Sequence, residues 1–185
     1  MDATEFLGRA SAVFEQTVAS VPHEAWELPT NCAMSVRELL QHVVAGNIFA
    51  VKLLDGCSAS EATEGLNALQ TDDELRAAIP DSCRAQLAAF DRTARSVSLH
   101  HPSGDITFET FVRYRAGDLV LHAWDAASAA SVPPRFDQLV IEELWLRVQP
   151  HVEDMRAAGT FGKGSRGGLP PTATTWDRVL DAFGR

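Results

Sequence analysis

Between Arg115 and Asp125 the chain reads Arg-Ala-Gly-Asp-Leu-Val-Leu-His-Ala-Trp-Asp, an apolar, helix-periodic run with a carboxylate, Asp118, four residues before an imidazole, His122. On an α-helix these two positions lie one turn apart on the same face. Both side chains therefore project alongside residues that demand burial, where a polar group without a partner is costly. The run confines the chain to folds in which both of these polar groups find a partner. A divalent cation shared with a ligand from a second helix is one solution, and His42 is the candidate for that ligand. The other is an intrahelical Asp118–His122 hydrogen-bonded pair, with His42 a histidine at the core's edge. Spacing alone leaves both open.

The rest of the chain reads as helices separated by short loops. Phe6, Leu7, Ala10, Val13, Phe14, Val18 and Val21 recur at helical spacing over about 3–21, and Pro22 ends that helix. Ser35-Val36-Arg37-Glu38 is a capping box opening a helix to about Leu54, whose stripe is Val36, Leu39, Leu40, Val43, Val44, Asn47, Val51 and Leu54. His42 borders this stripe. Thr71-Asp72-Asp73-Glu74 is a second capping box, and its helix extends to about Ser98 with Pro80 kinking or restarting it. The motif helix spans about 108–130, with Phe111, Val112, Arg115, Leu119, His122, Ala126 and Ala129 on one side. Residues 100–105 read as a loop, 136–158 as one long helix, and 176–183 as a short docking helix. No segment shows period-2 alternation, although 96–99 could be a short extended piece. The expected architecture is all-α, a bundle of four main helices with an extra short C-terminal helix and tail. Residues 1–158 would form the bundle, and 159–185 a glycine- and proline-rich loop and docking helix of the same domain.

Composition narrows the function classes. A formal net charge of −9 argues against non-specific nucleic-acid binding, which needs clustered Lys and Arg. No apolar run is long enough to span a bilayer, and Asp2 and Glu5 make the N-terminus unlike a signal peptide. Cys32, Cys57 and Cys83 are widely spaced without a CxxC, so neither a disulfide framework nor a thiolate zinc site is implied. They read as small hydrophobes in a cytoplasmic setting.

Three N/O ligands drawn from two helices, His42 with Asp118 and His122, leave coordination positions for water or substrate, as catalytic sites do. Such a set suits Zn²⁺ first, and also Ni²⁺, Fe²⁺, Co²⁺ or Mn²⁺. Among the neighbours, Asp125 is a candidate to orient a ligand histidine, or to pair with an arginine such as Arg37. Arg115 is read as an intrahelical partner of Asp118, with contact to an anionic substrate as the other role. Asn47 would contact substrate or close a helix contact. His23, His100 and His101 read as solvated surface residues, His151 as a surface residue or else as a replacement or fourth ligand, and Trp26, Trp145 and Trp176 as packing anchors.

The block Ser35 to Asn47, containing His42, resembles the first conserved block of the mycothiol-dependent maleylpyruvate isomerase N-terminal domain family, which belongs to the DinB-like superfamily of metal-binding four-helix bundles. Arg115 to Asp125 looks like the second block: an acidic residue, three residues, His, a small residue, Trp and Asp. The ending Leu180-Asp181-Ala182-Phe183-Gly184-Arg185 is similar to the Leu-x-x-x-Gly-Arg tail of one metal-binding subgroup. The resemblance implies metal ligands at His42, Asp118 and His122. It also implies a low-molecular-weight thiol, mycothiol or bacillithiol, as cosubstrate, and thiol-dependent transferase or isomerase chemistry on a small molecule. A metal that lowers the thiol's pKa would supply the nucleophile. The isomerase branch carries Glu where this chain has Asp118, and a further C-terminal domain for which a chain ending at Arg185 is too short. Isomerisation of maleylpyruvate itself is therefore not expected to carry over. A metal-dependent hydrolase and a non-catalytic metal- or partner-binding bundle are the alternatives. Bundles of this kind pair through an exposed helix face, so a homodimer is one expected assembly.

Overall fold

The structure is a computed structural model, and it describes residues 1–66, 71–159 and 169–185. It is predominantly helical, with a single two-stranded sheet among the described residues. Asp2–Arg135 forms one compact grouping that contains every candidate ligand. Its main helices are α1 (Ala3–Val18), α2 (Val36–Leu54), α4 (Asp72–Arg92) and α5 (Phe108–Ala129), with the short α3 (Ala59–Thr63) between the second and third.

The helices begin where side chains satisfy their orphan N–H groups. Asp2 accepts from the Glu5 amide at the head of α1. Ser35 with Glu38, Ser58 with Glu61, and Thr71 with Glu74 form reciprocal capping boxes on α2, α3 and α4. Pro80 lies inside α4 without dividing it, and that helix ends at Arg92, short of the expected Ser98. Both α1 and α2 pack on both α4 and α5. Phe6, Phe14, Leu39, Leu40, Phe90, Phe108, Phe111 and Leu119 fill the space between them and are almost wholly withdrawn from solvent. α5 is buried on nearly every side, including at Arg115, His122 and Asp125. A helix enclosed all round belongs at the centre of a bundle.

Two further sequence expectations are corrected. Residues 98–107 form an antiparallel hairpin, β1 (Ser98–His101) and β2 (Gly104–Thr107), rather than a loop. The strands have four residues each and bury little beyond Leu99, so no alternation announces them. Gly104, at φ 106°, takes the left-handed backbone that closes the turn and that other residues rarely adopt. The expected long helix over 136–158 is also broken. α6 (Gln138–Val148) gives way to a 3₁₀ turn containing Pro150 before α7 (Val152–Ala158), because proline lacks the N–H that a continuous helix requires there.

Phe136–Arg185, with Met1, is the second compact grouping. Within it α6 packs on α8 (Thr175–Ala182), which Thr174 and Asp177 cap reciprocally, and the Phe136 and Trp176 rings lie 4.4 Å apart. Of the glycine-rich stretch expected between the helices, Gly162, Gly164, Gly167 and Gly168 lie outside the described residues.

Candidate metal centre

α2 and α5 bring His42, Asp118 and His122 together. Asp118 Oδ1 lies 3.2 Å from His122 Nε2 and 3.8 Å from His42 Nε2. The two imidazole rings meet edge to face with centroids 5.3 Å apart. One donor atom from each residue falls within 4.8 Å of the other two, a spacing that a single cation can span. His122 is 7% exposed, whereas the His42 side chain is 49% exposed, so the cluster is walled on the α5 side and open on the α2 side.

His122 is held from behind. Its Nδ1 is 3.1 Å from Oδ2 of Asp125, which is fully buried. With an N–H at Nδ1 donating to that carboxylate, the neutral form of the imidazole would carry its lone pair on Nε2, on the side of Asp118 and His42. Cys32 approaches the same imidazole from the loop preceding α2. Cys32, His122 and Asp125 form a second group whose donor atoms lie within 4.8 Å of one another. The loop is pinned there by Thr30, whose hydroxyl donates to the Met34 carbonyl at 2.7 Å and sits 3.1 Å from Cys32 Sγ. Burial works to raise the Cys32 thiol, but hydrogen bonds from His122 and Thr30 outweigh it and bring the thiol below the ordinary range. Cys83 behaves oppositely, pushed up to about 12 by burial and by the nearby Glu15 carboxylate.

Asp118 and His122 are electrostatically coupled. Burial works to raise the Asp118 carboxyl, yet the charges of His122 and Arg115 overcome it and hold it well below the usual carboxylate range. Burial works to lower His122, yet Asp118, with hydrogen bonds to Asp118, Asp125 and Cys32, lifts it well above the usual imidazole range. Both directions favour the ionised forms, a carboxylate on Asp118 and an imidazolium on His122. The same geometry serves an intrahelical ion pair and would, with His122 deprotonated, offer its donor atoms to a cation.

Arg115 pairs with Asp118, its Nη1 donating to Oδ2 at 2.8 Å. Asn47 is fully buried and closes a helix contact, accepting from Arg115 Nη2 at 2.8 Å and donating to Ser82 at 3.1 Å. His23 and His100 are exposed, as expected, on Asp72 and Asp105. His101 departs from expectation. It is half-buried against Phe49, Phe111 and Tyr114, and burial lowers its pKa. Sequence reasoning missed Cys32 beside His122, because no spacing ties a loop cysteine to a helix so far along the chain.

The sequence profile described as the mycothiol maleylpyruvate isomerase N-terminal domain matches residues 7–127, a stretch that includes all of these residues. Two uncharacterized proteins of Mycobacterium tuberculosis, designated Rv0738 and MT0763 in two strains, are each 26% identical to the chain over 146 residues, covering 78% of it and 76% of their own length. No solved structure matches.

Proposed function

The chain belongs to the mycothiol maleylpyruvate isomerase N-terminal domain family, a DinB-like family, and from that premise we propose that it is a divalent-metal protein acting with a low-molecular-weight thiol. His42, Asp118 and His122 would hold the metal, with zinc the first choice for two imidazoles and a carboxylate. The observation that carries this reading is the convergence of three donor atoms from two helices, one set behind an oriented histidine. A cation bound there would act as a Lewis acid that lowers the pKa of a thiol such as mycothiol or bacillithiol. Transfer of that thiol to, or isomerisation of, a small electrophilic substrate is the chemistry this supports.

The protein's own residues supply the frame. Asp125 keeps the His122 lone pair directed at the cluster, and Arg115 holds Asp118. The half-exposed His42 leaves an approach for a small molecule from the α2 side. No helix among the described residues is long and apolar enough to cross a membrane.

The test is to load the protein with cobalt and titrate it with mycothiol. A thiolate-to-cobalt charge-transfer band in the near ultraviolet, absent from His42→Ala and His122→Ala, is the expected result. Cobalt uptake without that band, together with turnover of esters or amides, would favour metal-assisted hydrolysis instead. Uptake without either would point to a non-catalytic metal protein.

A further inference from the structure

Behind the candidate ligands lies a polar assembly larger than the site needs for binding alone. The Arg115 guanidinium, 7% exposed, is held on three sides by three helices. Its Nε donates to Gln86 Oε1 on α4 at 2.7 Å, its Nη2 to Asn47 Oδ1 on α2 at 2.8 Å, and its Nη1 to Asp118 Oδ2 on α5 at 2.8 Å. Asn47 is itself fixed, donating to Ser82 Oγ at 3.1 Å and to Cys83 Sγ at 3.4 Å, while Ser82 donates to the Ile79 carbonyl. Gln86 is fully buried and turns its carbonyl oxygen to Arg115, leaving its own Nε2 without a hydrogen-bond partner. Such an unpaired buried amide is destabilising. The assembly accepts that cost in a position where the amide serves the guanidinium.

The α2 backbone is shaped to the same group. A Cβ at Gly46 would stand 2.6 Å from Arg115 Nη1 and 2.9 Å from Nη2, inside the closest approach that real side chains make. Gly46 lies one turn beyond His42, and Arg115 nearly one turn before Asp118. The missing side chain thus lets α2 lie directly on the guanidinium next to the two helices' candidate ligands.

We propose that Arg115 is a positioning residue that commits one oxygen of Asp118 to itself and so presents only the other to a cation. Oδ2 is occupied by Nη1, and Oδ1 is the oxygen that lies 3.2 Å from His122 Nε2 and 3.8 Å from His42 Nε2. A guanidinium forked between Gln86 and Asn47 cannot follow the carboxylate if it rotates, so the hold is geometric as well as electrostatic. Its charge also offsets that of Asp118, so a cation bound by two neutral imidazoles and Asp118 Oδ1 keeps more of its positive charge for an anionic ligand such as a thiolate. The inference rests on the metal reading above and adds which residue sets how the carboxylate binds.

Full-length wild type, Arg115→Met, Arg115→Lys and Gly46→Ala are titrated with cobalt, followed by visible absorption, and with zinc against a chromophoric chelator. Circular dichroism checks the fold of each. Arg115→Met frees the second oxygen to join the metal, so its cobalt bands should weaken as coordination rises, and loss of the neighbouring positive charge should tighten zinc binding about tenfold. Gly46→Ala keeps the charge and favours the helix but displaces the guanidinium, and should shift the spectrum the same way. Arg115→Lys keeps a charge without the fork and should lie between these and wild type. If Arg115→Met does not fold, Gly46→Ala and Arg115→Lys decide. Wild-type spectra and affinity in the folded variants would overturn the role of Arg115 alone. A wild type that takes up neither cobalt nor zinc would overturn the metal reading and this inference with it.

Discussion

Asp125 is where the chemistry of His122 is decided, because a carboxylate on Nδ1 determines which nitrogen faces the cluster. Asp125→Asn removes its charge at nearly constant volume. Zinc affinity should fall about tenfold to a hundredfold, as for other partners of metal-bound histidines, measured by chelator competition. An unchanged affinity would mean that Asp125 serves packing only. Protonation makes a second prediction at this scale. His122 is raised well above its ordinary pKa without metal, so at neutral pH a cation must displace a proton from it. Calorimetric zinc binding in buffers of different ionisation enthalpy should show release of about one proton per metal near pH 7, and affinity should rise with pH. The metal-free chain follows a different rule. Its raised histidine contributes stability fully below about pH 6.5, lost as pH rises through the folded value. Its lowered Asp118 contributes above about pH 4, lost as pH falls through the folded value. The urea midpoint of the metal-free protein should therefore gain most from the pair between these limits and lose that gain on either side. A flat midpoint across both limits would contradict the coupling.

At the level of elements, α2 carries His42 and is started by a single capping box. Ser35→Ala removes the acceptor for the Glu38 amide at 3.2 Å and should cost about 1 kcal/mol in chemical denaturation. It should leave zinc affinity nearly unchanged, since His42 sits well inside the helix. What was legible in the sequence lay at this level. Helix starts follow from local chemistry, and Ser35, Thr71 and the spacing of Asp118 and His122 each act within one or two turns. The joining of His42 to Asp118 was legible through the resemblance of two blocks. Neither the hairpin at 98–107 nor the break at Pro150 had a comparable local signal. The hairpin buries too little to impose alternation, and helical periodicity continues on both sides of the proline. Cys32, Gln86 and Gly46 were illegible for a further reason. Their roles come from contacts with α5 made across long stretches of sequence. Asn47 and Arg115 could be placed on the right helices, but a fork linking three of them could not be read from any one.

For the molecule as a whole, the candidate centre ties α2 to α5 inside the Asp2–Arg135 grouping. A ligand that binds only the folded state stabilises it by mass action, by about 2.7 kcal/mol at roughly a hundredfold excess over Kd. Zinc should accordingly raise the melting temperature of wild type and leave that of His122→Ala unmoved. An equal rise in both would place the binding elsewhere.

The most direct measurement is metal content by plasma mass spectrometry on untagged wild type, His42→Ala and His122→Ala purified side by side. His42 is half exposed, so its variant tests the site with little disturbance of the core. The account predicts about one divalent ion per wild-type chain, with zinc foremost, and loss of most of it from both variants. A metal-free wild type that also fails to take up added zinc, cobalt or nickel would contradict it, and would leave Asp118 and His122 as an ion pair stabilising a helical bundle.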